Sequence, residues 1–109
     1  MAYDEDLAER IRAEMRDRHD IVEKKMFGGL AFLLTGQMCV GVWKDFLVAR
    51  VGPEAYAEAL EMPHVREFDI TGRPMRGWVL VEPEGVEAAS ELKAWLNRSV
   101  RFVSSLPAK

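Results

Sequence analysis

An alternation of apolar side chains with a period of two runs from Met26 to Val51 and limits the folds that this chain can adopt. Side chains on one face of a β-strand have this period, so the run predicts strands rather than helices. The interruptions at 35–37 and 44–45 are long enough for antiparallel hairpins but too short for a parallel crossover. The alternating sets are Leu30, Phe32 and Leu34, then Met38, Val40 and Val42, then Phe46 and Val48. The segment therefore predicts a three-stranded antiparallel meander.

Helical spacing is found on both sides of this meander. Residues 4–18 place apolar side chains three and four positions apart, with acids in the first turn where the helix dipole favours them. Pro53 suits the first turn of a second helix, and residues 86–103 form a long third one. Residues 65–70 and 75–82 predict a second hairpin. The order α-β-β-β-α-β-β-α predicts an α+β fold, a two-layer sandwich with a mainly antiparallel sheet and helices on one face.

Length and composition restrict the class of protein. The 109 residues, 49% hydrophobic and 30% charged, predict a single globular domain over residues 1–109. The net charge of −3 disfavours attraction to nucleic acid or an anionic membrane. No apolar run approaches the roughly 20 residues that span a bilayer, and the start MAYDEDLAER is acidic, unlike a signal peptide. We therefore expect a cytoplasmic protein, and the only cysteine, Cys39, excludes an internal disulfide.

Histidine and cysteine, which often carry catalysis or bind metals, form no recognisable motif in this chain. His19 and His64 are the only imidazoles, and neither has a second ligand at the spacing of a metal-binding helix. The acids near His64 in the sequence are Glu61 and Glu67, which do not suffice for a metal site. Cys39 lies in an alternating apolar strand, where cysteine is usually a small buried hydrophobe. We expect no catalytic residues, no metal site and no cofactor, and hence not an enzyme.

The stretch EKKMFGGLAF places two lysines and two glycines before an apolar run. A phosphate-binding P-loop would need a longer glycine spacing that ends in Gly-Lys-Ser/Thr before a helix, but here the lysines come first and a strand follows. Gly28 and Gly29 are therefore interpreted mainly as a bend where the chain turns into the meander. Lys24 and Lys25 remain candidates for binding an anion beside that bend.

A second unusual stretch, residues 66–78, is rich in charges and ends in Trp78. Arginines next to an aromatic ring could bind an anion or a nucleic-acid strand. The charged residues of this stretch are Arg66, Glu67, Asp69, Arg73 and Arg76. Because acids and bases nearly balance, we favour ion pairing within the hairpin over a ligand site. Trp78 is interpreted as a core or interface aromatic rather than a stacking platform.

Several short motifs together resemble a known family. They are Met26-Phe27-Gly28-Gly29, Gly36 before a strand, Val51-Gly52-Pro53-Glu54 before a helix, and Gly72-Arg73-Pro74-Met75 followed by Trp78. With them, the region from Ile11 to Trp95 resembles the N-terminal domain of the TfoX/Sxy proteins, regulators of bacterial competence. The resemblance implies an α+β sandwich, and a role in activating competence genes by assisting another transcription regulator rather than by reading DNA alone. Full-length members carry a further helical C-terminal domain, so this chain resembles the short stand-alone members. The family has no established catalytic residues to transfer.

Two functions of different classes follow as hypotheses. The first is a non-enzymatic regulatory module that acts through a protein partner such as a transcription regulator, with a homodimer as a further expectation. The alternative is a small-ligand or anion-binding domain that uses Lys24, Lys25, Arg73 and Arg76. The candidate ligand or partner surface comprises Lys24, Lys25, Gly28, Gly29, Arg73, Arg76 and Trp78. Direct nucleic-acid binding is the least favoured function because the chain is acidic.

Overall fold

The alternating segments form the centre of an antiparallel sheet in the computed structural model, which describes residues 3–69 and 72–107. The strands are β1 Ile21–Met26, β2 Gly29–Leu34, β3 Gln37–Trp43, β4 Phe46–Arg50, β5 Val65–Glu67 and β6 Trp78–Val81. The helices are α1 Glu5–Glu14, α2 Tyr56–Leu60 and α3 Ala89–Ser104, with a 3-10 turn at Pro83–Gly85. The strand order is β1-β2-β3-β4-β6-β5, and each neighbouring pair is antiparallel. The predicted α+β class and antiparallel sheet are confirmed.

The observed order contains one strand more than predicted, because β1 precedes the three strands of the meander. Every residue of β1 except Ile21 is exposed, and three consecutive positions, Glu23, Lys24 and Lys25, are charged. The strand lies at the edge of the sheet, so no buried face imposes an apolar alternation on it. Hydrophobic periodicity therefore could not reveal this strand.

The ends of the predicted helices and strands shift by a few residues. The first helix ends at Glu14 instead of residue 18, because the chain must turn before it enters β1. The Asp4 carboxylate begins this helix by accepting hydrogen bonds from the backbone N–H groups of Asp6 and Leu7, at 2.9 and 3.2 Å. In the second predicted hairpin, Ile70 and Thr71 lie outside the described residues. Each described helix is too short or too polar to cross a lipid bilayer.

Two tight turns connect β1 to β2 and β2 to β3. Phe27 and Gly28 have φ of 46° and 76°, and Thr35 and Gly36 have φ of 49° and 87°. Positive φ at both loop residues is what a type I′ hairpin turn requires. The bend expected near Gly28 is therefore the tip of the β1–β2 hairpin.

One face of the sheet is covered by the helices, and we call it the helix face. Its core is mostly aliphatic: Ile11 of α1 and Leu96 of α3 are buried against Phe32 and Val42 of the sheet. The buried hydrophobic residues of α1, α2 and α3 all belong to this one cluster. The helices thus form the second layer of the predicted sandwich.

A register shift between β2 and β3 changes which face Cys39 occupies. Phe32 pairs with Val40 and Leu33 pairs with Met38, so Cys39 is an extra residue in β3. The sequence predicted that Cys39 alternates with Val40, but the bulge places both in the helix-face core, whereas Met38 lies on the opposite face. Cys39 is fully buried, as expected for a small hydrophobe, and this burial raises the pKa of its thiol to about 12.

The opposite face of the sheet, which we call the open face, is not covered by any of the described helices. Its buried members are Ala31, Met38, Val48, Leu80 and Phe68. The hydrophobic side chains packed against them are only partly buried: Phe27, Leu33, Trp43, Phe46, Met75 and Trp78. The open face is therefore rich in aromatic rings that retain contact with solvent.

Candidate interaction surface

The hairpin between β3 and β4 carries two aromatic side chains on the open face. Trp43 and Phe46 pair directly across the strands, so the two-residue loop Lys44-Asp45 places both rings on the same side of the sheet. The rings are stacked, with centroids 5.9 Å apart and planes inclined by 19°. Both side chains are half-buried, so the pair forms an accessible aromatic surface at the end of the hairpin.

Two cations flank this aromatic pair. Lys44 Nζ lies 4.7 Å from the centre of the Trp43 ring, and the Arg66 guanidinium lies 5.6 Å from the centre of the Phe46 ring. Arg66 reaches this position because it pairs with Leu80, an open-face residue of β6. Cation–π contacts at exposed sites contribute about 0.5–1 kcal/mol. We refer to Trp43, Lys44, Phe46 and Arg66 as the aromatic corner.

The aromatic corner lines one side of a cavity of about 510 Å³. Leu80, Glu67 and Asp69 also line this cavity. The volume lies in the range of small-ligand sites, but the charges around it are of both signs. Because residues of both charge signs line it, the cavity suits a partner with mixed charges better than a phosphate.

The glycine pair of the β1–β2 hairpin supports an aromatic ring on the open face. A Cβ atom on Gly29 would lie 3.0 Å from the Phe27 ring and only 2.1 Å from the Val42 carbonyl oxygen. A Cβ atom on Gly41 would lie 3.2 Å from the same ring. Phe27 then contacts Phe68 edge to face, with centroids 5.8 Å apart. Gly29 therefore has a steric role in packing, in addition to the turn at Gly28.

Trp78 is half-buried on the open face and takes part in internal contacts. Its ring centroid lies 6.2 Å from that of Phe68, and the Arg50 guanidinium lies 5.0 Å from its centre. The same guanidinium lies 5.6 Å from the Phe102 ring and donates a hydrogen bond of 3.4 Å to the Met38 carbonyl oxygen. These contacts link Trp78 to the sheet and to α3.

The basic residues proposed from the sequence lie at different edges of the sheet. Lys24 and Lys25 are exposed on β1, at one edge, and their side chains point to opposite faces because they are adjacent in a strand. Arg73 and Arg76 are exposed in the connection between β5 and β6, at the other edge. Three strands separate β1 from β6, which corresponds to about 19 Å at the usual strand spacing. Binding of one anion by all four remains a prediction.

Two charged residues of the 66–78 stretch, Glu67 and Arg66, have contacts outside it. The Tyr56 hydroxyl donates a hydrogen bond of 3.3 Å to Glu67, and burial together with this carboxylate raises the pKa of the phenol. Arg66 lies 3.8 Å from Glu82, which follows β6. The charges of this hairpin are therefore partly balanced by residues that lie distant in the sequence.

His64 also lies near acids that the sequence did not connect with it. Its Nδ1 atom is 3.6 Å from the nearest Glu82 carboxylate oxygen, and ligand atoms of His64, Glu82 and Glu84 lie within 4.8 Å of one another. The pairing of β5 with β6 brings them together, since the Glu82 N–H donates to the His64 carbonyl oxygen at 2.8 Å. These three side chains could hold a divalent cation. The positive charge of Arg66 beside Glu82 opposes cation binding, and His64 and Glu84 are exposed to solvent. The members of this set come from two segments, so local spacing could not have identified it.

One motif that carries the family resemblance, Val51-Gly52-Pro53-Glu54, contacts the chain directly before Trp78 in the fold. The backbone N–H groups of Val51 and Gly52 donate hydrogen bonds of 2.8 and 3.1 Å to the Gly77 carbonyl oxygen, next to Trp78. Gly52 has φ of 90°, and a Cβ atom there would lie 2.4 Å from the Phe102 ring. The close approach of the Phe102 ring and the positive φ thus explain the glycine at position 52 as a packing requirement.

Comparison with known proteins supports the resemblance. The model of one family, described as the TfoX N-terminal domain, matches residues 13–103 of this chain. Comparisons with curated proteins and with solved structures gave no significant match. The family match covers α2 and all six strands, begins within α1 and ends within α3.

Proposed function

Because the chain belongs to the TfoX N-terminal domain family, we propose that it is a non-enzymatic module that regulates competence or transcription through a protein partner. The family is associated with the regulation of competence and DNA uptake. The module would act in the cytoplasm, where a transcription regulator is available as a partner.

The aromatic corner is the observation that carries this proposal. Trp43 and Phe46 are half-buried on a face that none of the described helices covers, and Lys44 and Arg66 are exposed beside them. Tryptophan and arginine are enriched at the energetic centres of protein interfaces, where a polar rim surrounds an apolar patch. The two cations, Lys44 and Arg66, would supply part of such a rim around the ring pair.

The charges of this surface favour a protein over other ligands. Glu67 and Asp69 line the same cavity as Lys44 and Arg66. They would repel a phosphate group or a nucleic-acid backbone but could pair with basic side chains of a protein. A peptide segment with an apolar anchor and charges of both signs fits this arrangement.

Affinity capture from the native host tests the proposal. The immobilised protein is expected to retain a specific partner that is lost when Trp43→Ala or Lys44→Glu is used as bait. Lys93→Glu is the matched control for the charge change, because Lys93 is an exposed lysine on α3. Circular dichroism of each variant would verify that the fold is intact.

The opposite outcomes are equally defined. Capture that is identical for the wild type, Trp43→Ala and Lys44→Glu would place the partner on another surface and contradict the role of the aromatic corner.

A thermal-shift screen with nucleotides and phosphorylated metabolites tests the alternative of an anion-binding domain. A ligand at 100 times its Kd would stabilise the protein by about 2.7 kcal/mol. Such a shift, abolished by Arg73→Ala with Arg76→Ala, would favour that alternative.

A further inference from the structure

Among the described residues, no strand lies beside the outer edge of β1, so one row of its backbone hydrogen-bonding groups has no neighbouring strand. The strand is an edge of the sheet. Directly before it, the Thr35 N–H donates to the Asp20 carbonyl oxygen at 3.0 Å, so the backbone groups of Asp20 face the β2 side. Residues of an antiparallel strand alternate between facing and turning away from the neighbour, so Ile21, Glu23 and Lys25 direct their backbone groups outward. These groups can pair with a further strand.

The same strand carries the large hydrophobic side chains that are most exposed in the described part of the chain. They are Val22, with 63% of its surface accessible, and Met26, with 39%. Val22 pairs with Leu33, a residue of the open face, so Val22, Lys24 and Met26 project from that face. Edge strands are usually protected by charges, and apolar exposure at an edge indicates a contact.

We propose that β1 pairs antiparallel with β1 of a second copy of this chain, around a two-fold axis that passes between the two Lys24 residues. In this register Val22 of each copy lies opposite Met26 of the other, on the open-face side. Glu23 of each copy lies opposite Lys25 of the other, on the helix-face side, and these residues exchange the outward backbone hydrogen bonds. The two exposed apolar residues and the two opposite charges are therefore all matched by one register.

The position of Glu23 supports this register. Its carboxylate is 2.7 Å from the Arg12 guanidinium, and this contact raises the pKa of Arg12. Glu23 is thus held on the helix-face side of β1, where Lys25 of the second copy would arrive. The one unfavourable pair is Lys24 with its own counterpart on the axis, since like charges that face each other across strands oppose pairing.

The resulting dimer would have a continuous sheet with six strands from each copy, and both open faces would lie on the same side. The two aromatic corners would then be presented together. The dimer does not depend on the identity of any partner, so it can hold or fail independently of the proposed function.

Charge variants of the full chain test the register. Lys25→Glu places two acids opposite each other, and Glu23→Lys places two bases opposite each other, so each variant alone is expected to be monomeric by sedimentation velocity. An equimolar mixture restores opposite charges at both pairs and is expected to form a heterodimer. Even a weak dimer with a small interface would form at about 1 mM protein. A wild-type protein that stays monomeric up to this concentration would overturn the proposal. So would a wild-type dimer that both variants retain.

Cysteine cross-linking provides a second measurement that does not require a strong dimer. Lys24→Cys places a thiol on the two-fold axis, next to its own counterpart, and should form an intermolecular disulfide under mild oxidation. Val22→Cys is the matched control, because it is exposed on the same face of β1 but lies opposite Met26 of the other copy. Native Cys39 is fully buried and does not compete. Equal cross-linking of both variants would contradict the register.

Discussion

The helix face of the sheet is closed by side chains from α1 and α3, whereas the open face is covered by aromatic rings from the hairpins and from residues 68–78. On the helix face, residues such as Ile11 and Val42 are inaccessible to solvent. On the open face, Trp43 and Phe46 retain part of their surface in solvent. The same sheet therefore supplies stability on one face and an accessible surface on the other.

Truncation of one phenylalanine on each face should show this difference most strongly. Phe32 is 1% exposed in the helix-face core, so Phe32→Ala is expected to lower the free energy of unfolding by about 4 kcal/mol. Phe46→Ala, on the half-buried open face, should cost about 1.5 kcal/mol. Urea denaturation followed by circular dichroism measures both values. Equal losses would show that the open face is as tightly packed as the helix face.

The glycine pair of the β1–β2 hairpin allows a comparison of steric and conformational effects. Gly29→Ala should lower the free energy of unfolding by about 3 kcal/mol, because the new Cβ atom would lie 2.1 Å from a backbone oxygen of Val42. Gly28→Ala should lower the free energy of unfolding by only about 1 kcal/mol. The positive φ of 76° disfavours alanine, but no atom of the described residues would lie within 4 Å of the new Cβ atom. Thermal unfolding of the two variants gives the order. A larger loss for Gly28→Ala would contradict the packing role of Gly29.

Ser99 offers a change of the opposite sign on the helix face. It is fully buried in α3, and its hydroxyl has no hydrogen-bond partner among the described residues. Ser99→Ala removes this unpaired group and should stabilise the protein by about 1 kcal/mol. Ser105→Ala is the control, because the Ser105 hydroxyl is exposed and donates a hydrogen bond of 2.6 Å to the Phe102 carbonyl oxygen. Chemical denaturation that shows Ser99→Ala to be destabilising would imply a partner for this hydroxyl.

The smallest effect on stability is expected at the aromatic corner. Lys44→Ala removes an exposed cation–π contact with Trp43 and should lower the free energy of unfolding by about 0.5 kcal/mol. Arg98→Ala, which removes the contact with Trp95 on α3 at 5.2 Å, is the matched variant. Both losses are measurable by denaturant titration. A loss of several kcal/mol for Lys44→Ala would show that this residue supports the fold rather than a surface.

Much of the fold could be predicted from the sequence, because short-range patterns encode it. The period-two run from Met26 to Val51 predicted β2, β3 and β4, and the short breaks predicted their antiparallel pairing. The helices followed from their own periodicity, with ends that differ by a few residues. β1 was missed because an exposed edge strand has no buried face. The bulge at Cys39 was missed because Met38, Cys39 and Val40 are all apolar, so a shift in the alternation cannot be seen among them.

The candidate surface was predictable only in part. Trp43 and Phe46 are separated by a two-residue loop, so a hairpin there was sufficient to bring them together. Nothing in the sequence placed Arg66 beside them, because its position depends on β5 lying next to β6. The residues chosen from motifs, such as Lys24 and Arg73, were instead assigned to opposite edges by the strand order.

The sequence by itself determined the fold class, the family and the positions of the tight turns, since the patterns that indicate them involve neighbours within a few positions. Only the tertiary structure decided which face stays open, which rings and charges meet on it, and which strand is left at the edge. These features depend on the pairing of strands that lie far apart in the chain, and no local pattern records that pairing.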